Sequence, residues 1–191
     1  MRINLEQSFS EVQGPHAGSL LLAHPRLLDP NFCRTVILLS AHSESEGSIG
    51  VILNRAIGQT LSQYDPNLAT SALASISLFL GGPIATDQLI LVAWKWSLEE
   101  GTFKLYFGID YEKAQSIFEE DPAFQFRGFL GHAGWTQGQL NAELNQGSWV
   151  PSSCWAALKD EHSEIDWHEL LCRERPDLGL LSNAPDDPSL N

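Results

Sequence analysis

The chain has 191 residues, of which 43% are hydrophobic and 18% charged, and its formal net charge is −13 from 24 acidic and 11 basic side chains. This composition predicts a soluble globular protein and disfavours nucleic acid as a direct partner, because DNA binding needs clustered Lys and Arg side chains. No apolar run approaches the ~20 residues of a membrane span and no secretory signal is recognisable, so we predict a cytoplasmic location.

A single domain is expected over residues 1–191, with its core at about 14–180 and a polar tail at 182–191, because no linker or repeat divides the chain. Three cysteines, Cys33, Cys154 and Cys172, are far apart and odd in number. This spacing argues against a disulfide scaffold and against a CxxC motif, and it favours small buried side chains.

The first half of the chain is predicted to be mainly strands. Continuous apolar runs bounded by turn residues indicate buried strands at 18–24, 35–41 and 48–53. Asp65-Pro66 then combines an N-cap with proline at the first helical position, which predicts a helix. A short strand is expected at 77–80.

The second half of the chain alternates more evenly between strands and helices. Strands at 89–94 and 102–107 flank a predicted hairpin turn, Glu99-Glu100-Gly101. Asp110 is expected to cap a helix with an acidic outer face. A last helix is predicted from Ser163 to Arg173.

The most distinctive segment lies between these helices. Residues 124–130 read as a strand, and 131–135, which we call the glycine corner, are expected to turn sharply around a wedged Trp135. Thr136 and Gln139 have the spacing of a capping box, so a helix is predicted at 136–146.

The order of these elements determines the expected fold class. Strand runs outnumber helices and follow one another directly at the start of the chain, which is not strict β-α-β alternation. We therefore predict an α+β domain with a mixed sheet and helices packed around it.

Four glycine-punctuated blocks, in this order, resemble the AlgH/YqgE family of bacterial proteins. They are Gly18–Pro25 with the following run Val36–Leu39, then Gly50–Arg55, then Gly81–Ile84 with Gly108–Asp110, and finally the segment 128–140. The family is commonly described as transcriptional regulators, and no biochemical activity is established for it. The resemblance implies a branched, barrel-like mixed sheet with helices on its outside.

Three features depart from the family pattern, and one of them is that residues 89–94 lack the histidine often seen after the Gly81-Gly82-Pro83 block. His132 stands where an aromatic residue is usual, and the histidine-containing turn after the second strand, His42–Gly47, is longer and more polar.

Standard catalytic motifs are missing from the sequence. Ser48 has neighbouring glycines, but Glu46 occupies a position that a nucleophile elbow reserves for glycine. No Walker A, GxGxxG or HExxH pattern occurs, so we predict no cofactor and no metal site. His162, Asp166 and Glu169 share one predicted helix face, which we interpret as a solvated acidic surface.

The leading hypothesis is a non-enzymatic binding module with an indirect regulatory role, whose partner is an unidentified protein or small molecule. Glycine turns and polar residues at strand ends are expected to converge on one groove. The candidate ligand-binding residues are Asn54, Arg55, Gly81, Gly82, Pro83, Gly131, His132, Gly134 and Trp135. Arg55 has two interpretations, as a ligand for carboxylate or phosphate or as the partner of an acid such as Asp110.

Two alternatives belong to other functional classes. A small hydrolase or transferase would use His132 with Asp110 or another carboxylate, provided that the two groups lie within proton-transfer reach. A DNA-binding regulator would need a basic surface, which the net charge of −13 disfavours.

Overall fold

Ten strands in the described part of the chain form one branched sheet, with short helices packed around it. The structure is a computed structural model that describes residues 3–8, 16–43, 45–97, 102–153 and 165–182. The strands are β1 Ile3–Ser8, β2 Leu20–Ala23, β3 Val36–Ser43, β4 Gly47–Ile52, β5 Ala56–Thr60, β6 Ser77–Leu80, β7 Ile84–Ser97, β8 Thr102–Ile109, β9 Gln125–Trp135 and β10 Trp149–Ser152. The helices are α1 Leu61–Tyr64, α2 Tyr111–Glu120, α3 Gln139–Asn145, α4 Trp167–Glu174 and α5 Gly179–Ser182.

Strand β9 is the branch point of the sheet. The strand order is β1-β8-β7-β9-β4-β3-β2-β10, and β5 and β6 form a side branch that joins β9. The first half of β9 pairs antiparallel with β7 and parallel with β6 at Gly128–Leu130, whereas Ala133–Trp135 pair with β4. This mixed, branched sheet confirms the predicted α+β class.

Apolar residues from both faces of the sheet form three buried clusters. The largest contains Trp94, Phe129 and Trp167. In the second, α2 covers the sheet through Ala114 and Ile117. The third joins α3 to β9 and β10 around two tryptophans, Trp135 and Trp149.

The helix predicted from Asp65-Pro66 is wrong. Asp65 does act as a cap and accepts a hydrogen bond from the Asn67 N–H, but only a 3₁₀ turn, Pro66–Leu68, follows. The Leu61 N–H donates to the Ile76 carbonyl at 2.8 Å, so the ends of this segment are tied together and a straight helix cannot form. The sequence analysis also missed β5, whose residues are mostly exposed and therefore lack an apolar signal.

The predicted glycine corner is wrong as a turn. Strand β9 continues without a break from Gln125 to Trp135, and the positive φ of Gly131, 72°, changes its direction without ending it. The following helix begins at Gln139, three residues later than predicted, after Gly138 with φ 72°. Gln139 Oε1 accepts from the Thr136 N–H at 3.0 Å, so one half of the predicted capping box is present.

Other predicted elements agree closely with the structure. Asp110 caps α2 by accepting from the Lys113 N–H at 2.8 Å. The last helix, α4, begins after Asp166, whose carboxylate accepts from the His168 and Glu169 N–H groups. The predicted turn Glu99-Glu100-Gly101, the start of the last helix at Ser163 and nearly all of the tail at 182–191 lie outside the described residues.

Candidate functional site

Two of the predicted glycine turns pack directly against each other. A Cβ atom added to Gly81 would lie 2.2 Å from the Gly131 carbonyl oxygen, and one added to Gly82 would lie 2.2 Å from the His132 carbonyl carbon. The Gly81 N–H donates to the Leu130 carbonyl at 2.8 Å. We call this contact of Gly81-Gly82 with Gly131-His132 the glycine joint. Backbone fills the space beside these glycines, so they bring two chain segments together.

Asn54 links the end of β4 to the start of β3. Its Oδ1 accepts from the Val36 N–H at 2.9 Å, and its Nδ2 donates to the Arg34 carbonyl at 2.9 Å. The side-chain amide therefore provides hydrogen-bond partners for two backbone groups, the Val36 N–H and the Arg34 carbonyl, which lie beyond the last β3–β4 pair, Ile37 with Ile52.

Arg55 contacts backbone carbonyls. The sequence suggested a ligand anion or an acidic side chain as its partner, and neither describes these contacts. Its Nη2 donates to the carbonyl oxygens of Pro30 at 3.0 Å and Cys33 at 3.3 Å. The guanidinium thereby caps the loop between β2 and β3, while Asp110 caps α2 on another part of the sheet.

His132 is half-buried within β9, where it pairs with Ile84 at the start of β7. Burial lowers the pKa of its imidazole below the ordinary value, so the neutral ring is favoured at pH 7. Three surface grooves formed by the described residues do not have His132 in their lining.

A groove with a volume of about 690 Å³ lies beside the glycine joint, between the end of the β3–β4 hairpin and the end of β9. We call it the hairpin groove. It is lined by Ala17, Ser40, Ala41, His42, Ser43, Glu46, Gly47, Ser48, Ile49, Ile84, Gly134, Trp135 and Thr136. Of the nine predicted ligand-binding residues, Gly134 and Trp135 line it directly. Gly81, Gly82 and Pro83 form the connection from β6 to β7 and immediately precede the lining residue Ile84, and Gly131 and His132 precede Gly134 on β9.

The register of the sheet explains the apolar floor of the groove. Ala41, Ile49 and Gly134 lie opposite one another on β3, β4 and β9. Ile84 continues this row, since its Cδ1 lies 3.0 Å from the position of a Cβ on Gly134. Ile49 and Ile84 are 38% and 45% exposed, so both present apolar surface to solvent.

A polar pair occupies the next rung of the β3–β4 hairpin, where the side chains point to the opposite face of the sheet. His42 and Ser48 face each other across the β3–β4 hairpin, and His42 Nδ1 is 2.7 Å from Ser48 Oγ. Ser48 is 4% exposed. The pair therefore places hydrogen-bonding groups at the hairpin end of the groove, on the sheet face opposite Ile49.

The indole of Trp135 is held from the opposite side by Glu143 of α3. Glu143 Oε2 accepts from Trp135 Nε1 at 2.8 Å and from Trp149 Nε1 at 2.7 Å. The two indole rings meet edge to face with centroids 5.9 Å apart. A single carboxylate oxygen therefore fixes both tryptophans.

The sequence analysis did not select His42, Ser48 or Ile84 as site residues. His42 and Ser48 are six residues apart, and they meet because the hairpin register pairs them. The signal available in the sequence was the unusually polar turn after the second strand, which carries His42.

The described ranges contain neither a cluster of metal ligands nor a helix that could span a membrane. Among those residues, no group of three or more His, Cys, Asp or Glu side chains is placed to hold a metal ion. Asp166 is the N-cap of α4, and His162 lies outside the described residues. The longest described helix, α2, has 10 residues, and none in these ranges is long and apolar enough to cross a membrane.

The chain is therefore an α+β protein with a branched, curled sheet and a small groove at the end of the β3–β4 hairpin. A family model described as AlgH-like matches residues 20–178. The chain belongs to this AlgH-like family, as the four sequence blocks predicted.

Relatives and solved structures support this membership. A UPF0301 protein of Streptomyces coelicolor is 37% identical over 188 residues, covering 91% of this chain and 94% of the relative. One from Chlorobaculum tepidum is 34% identical over 184 residues, covering 91% and 95%. The solution structure of the AlgH protein from Pseudomonas aeruginosa has a TM-score of 0.63 and 27% identity over 93% of this chain and 98% of its own. A crystal structure of a Corynebacterium diphtheriae protein, 24% identical over 92% and 95%, shares the fold with a TM-score of 0.66.

Proposed function

We propose that this chain is a binding protein whose hairpin groove receives a mainly apolar small molecule that carries one polar group. The observation that carries the proposal is the groove itself, about 690 Å³ in volume and lined by Ala41, Ile49 and Ile84 beside His42 and Ser48. Ligand sites in proteins typically have volumes of roughly 300–1,000 Å³, apolar walls and a few placed polar groups.

The His42–Ser48 pair is expected to orient the ligand in the groove. The Ser48 hydroxyl has one donor and two acceptor sites, and the bond to His42 Nδ1 uses only one of them. A carbonyl or hydroxyl of the ligand is expected to hydrogen-bond there across the end of the hairpin, because Ser48 and Ile49 point to opposite faces of β4, while its apolar body covers Ile49 and Ile84.

The wider role that we propose is indirect regulation in the cytoplasm, by binding a ligand or another protein. Direct DNA binding is disfavoured, because a net charge of −13 repels phosphates and counterion release needs clustered cations. The predicted set from Asn54 to Trp135 stays a prediction for ligand binding. Gly134 and Trp135 are its members with a place in the groove wall.

The direct test compares two isoleucines of similar exposure. Ile84 is 45% exposed in the groove, and Ile57 is 40% exposed on β5, away from it. We expect Ile84→Gln to weaken binding of the neutral dye Nile red severalfold, measured by fluorescence titration, while Ile57→Gln leaves it unchanged. Equal effects of the two substitutions, or no dye binding by the wild-type chain, would contradict the proposal.

Gly134→Leu provides a second test that fills the groove without adding polarity. The contact that its Cβ would make at 3.0 Å is with Cδ1 of Ile84, the movable end of a side chain, so the fold is expected to survive. Loss of dye binding with an unchanged circular dichroism spectrum is the expected result. Unaltered binding would place the ligand elsewhere.

A second candidate function, acyl transfer or hydrolysis, is favoured by one specific observation, the 2.7 Å contact between His42 Nδ1 and Ser48 Oγ. A serine within 2.6–3.2 Å of an imidazole has the geometry of a nucleophile and its base. In such a reaction Ser48 Oγ would bond to the acyl carbon as His42 takes the hydroxyl proton. The imidazolium would then protonate the leaving group, and water would cleave the acyl-serine.

Covalent labelling separates this candidate from simple binding. A fluorophosphonate probe is expected to label Ser48, and the labelled peptide is identified by mass spectrometry. Ser48→Ala and His42→Gln should abolish labelling. Ser43 also lines the groove, but its hydroxyl is hydrogen-bonded to Ser45 Oγ, so Ser43→Ala should retain labelling. No labelling of the wild-type chain would exclude acyl transfer while leaving the binding proposal intact.

A further inference from the structure

A second groove, with a volume of about 670 Å³, lies where the paired strands β2 and β10 end. We call it the arginine groove. It is lined by His24, Arg26, Leu27, Leu144, Gln146, Gly147, Ser148, Trp149, Val150, Pro151 and Arg175. It shares no lining residue with the hairpin groove.

The charged side chains that line this groove are basic, whereas the chain as a whole is acidic. The whole sequence carries 24 acidic and 11 basic side chains. The described residues that line the groove nevertheless include two arginines and a histidine, and neither Asp nor Glu. Local cationic groups in a concave site attract anions even where the net charge of the protein is negative.

The hydrogen bonding of His24 determines which of its ring nitrogens carries the proton. The Arg26 N–H donates to His24 Nδ1 at 3.1 Å, so the neutral ring carries its proton on Nε2. Burial, and then the charges of Arg26 and Arg175, lower the pKa of His24, whereas Asp177 acts in the opposite direction. His24 therefore lies within the electrostatic reach of both arginines and serves as a neutral N–H donor at pH 7.

Arg175 is held in place by one neighbouring carboxylate. Its Nε and Nη2 donate to the two oxygens of Asp177 at 2.8 and 2.6 Å. This paired arrangement fixes the plane of the guanidinium, and Nη1 takes no part in it. Asp177 itself does not line the groove.

Two leucines give the wall its apolar part. Leu27 and Leu144 pack against the cluster that contains Trp149, which is 4% exposed. The Trp149 indole is immobilised by Glu143 at 2.7 Å and by an edge-to-face contact with Phe32 at 5.8 Å. The groove therefore joins a cationic end to a rigid apolar surface.

We propose that the arginine groove binds a small organic anion, in which a phosphate or carboxylate group is carried on an apolar body. Arg26, Arg175 and the Nε2–H of His24 contact the anionic oxygens. The apolar body packs against Leu27 and Leu144. This site is independent of the proposed function of the hairpin groove.

Isothermal titration calorimetry with three probes tests this site. Phenyl phosphate and benzoate carry an aromatic ring, and inorganic phosphate does not. We expect phenyl phosphate to bind more tightly than inorganic phosphate, because only the ring buries apolar surface. Comparison of phenyl phosphate with benzoate shows which anionic group the groove prefers. Heat from none of the three probes at low salt would overturn the proposal.

Matched substitutions locate the site. Arg26→Gln and Arg175→Gln are each expected to weaken phenyl phosphate binding about tenfold, the loss of one charge-assisted hydrogen bond. Arg173→Gln is the control, since the Arg173 side chain is 49% exposed, as is that of Arg175, but does not line the groove. Asp177→Asn keeps one oxygen acceptor for Arg175 and removes the negative charge beside it. This substitution should therefore strengthen the binding of phenyl phosphate. Equal affinities in Arg26→Gln, Arg175→Gln and Arg173→Gln would overturn the assignment.

Discussion

The glycine joint and the hairpin groove use two nearby segments of β9, Gly131-His132 and Gly134-Trp135, but their glycines have opposite roles. In the joint, the space beside Gly131 is occupied by the carbonyl oxygens of Gly82 and Ile84, 2.6 and 2.8 Å from a would-be Cβ. In the groove, the nearest atom to Gly134 is the terminal methyl of Ile84 at 3.0 Å. The same residue type therefore permits close backbone packing at one position and leaves an open floor three residues later.

The pairing of β9 explains this difference. Around Gly128–Leu130 the strand has partners on both sides, β6 and β7. Beyond the His132–Ile84 pair, its described partner is β4 alone. At the joint, backbone atoms of the β6–β7 connection and the start of β7 fill the space beside the glycine of β9. At the groove, the space beside Gly134 is bordered by a side chain, that of Ile84.

The largest expected effect contrasts two glycines with the same backbone angle. Gly131 and Gly138 both have φ 72°, but a Cβ at Gly131 meets backbone atoms, and one at Gly138 meets nothing within 4 Å. We expect Gly138→Ala to cost about 1 kcal/mol of the free energy of unfolding, from the positive φ alone. Gly131→Ala is expected to cost about 4 kcal/mol or to prevent folding. Urea denaturation measures both, and equal losses would show that the joint is not tightly packed.

Asn54→Ala provides the next largest effect and separates architecture from ligand binding. The substitution leaves the Val36 N–H and the Arg34 carbonyl without the side-chain amide, which is expected to cost about 2 kcal/mol of the free energy of unfolding. Nile red binding to the hairpin groove should not change. A loss of dye binding at full stability would instead support the original prediction of Asn54 as a ligand residue.

Glu143→Gln tests how firmly two tryptophans are held in place, Trp135 in the wall of the hairpin groove and Trp149 in the wall of the arginine groove. The substitution keeps an oxygen acceptor but removes the charge that strengthens two indole hydrogen bonds. A destabilisation of about 1 kcal/mol is expected, together with a changed near-ultraviolet circular dichroism signal from Trp135 and Trp149. Glu169→Gln, at an exposed carboxylate paired with Arg173, serves as the control and should alter neither measurement.

The smallest expected effect concerns pH and His132. Burial lowers its pKa in the folded protein, so the unfolded chain binds more protons between the folded pKa and the unfolded value of about 6.5. The free energy of unfolding should therefore fall as the pH falls below about 6.5. His132→Gln should reduce this slope and leave the part contributed by His24, whose pKa is also lowered. An unchanged slope would contradict the assignment to His132.

Most of the fold could be predicted from local patterns. The apolar runs that became β2, β3 and β4 were visible because buried strands need continuous hydrophobic side chains. The cap at Asp110 was equally clear. The exposed strand β5 and the closed loop after Asp65 could not be recognised, because their conformations depend on pairing with β6 and on the bond between Leu61 and Ile76.

The candidate site was only partly accessible to sequence reasoning. Gly134 and Trp135 were selected because glycines and a tryptophan cluster at one strand end. Asn54 and Arg55 were selected for chemistry that their side chains direct toward the backbone of the protein itself. Polar residue types at a strand end do not reveal whether the chain or a ligand will use their hydrogen bonds.

The sequence by itself determined the family, the α+β class, most strands and the acidic character of the chain. These properties follow from composition, local periodicity and short motifs, all of which act over neighbouring residues. The tertiary structure alone decided that His42 meets Ser48, that Gly82 packs on His132, and that Arg26 and Arg175 line one groove. Such contacts depend on the register and branching of the sheet, which are set by the simultaneous burial of residues far apart in the chain.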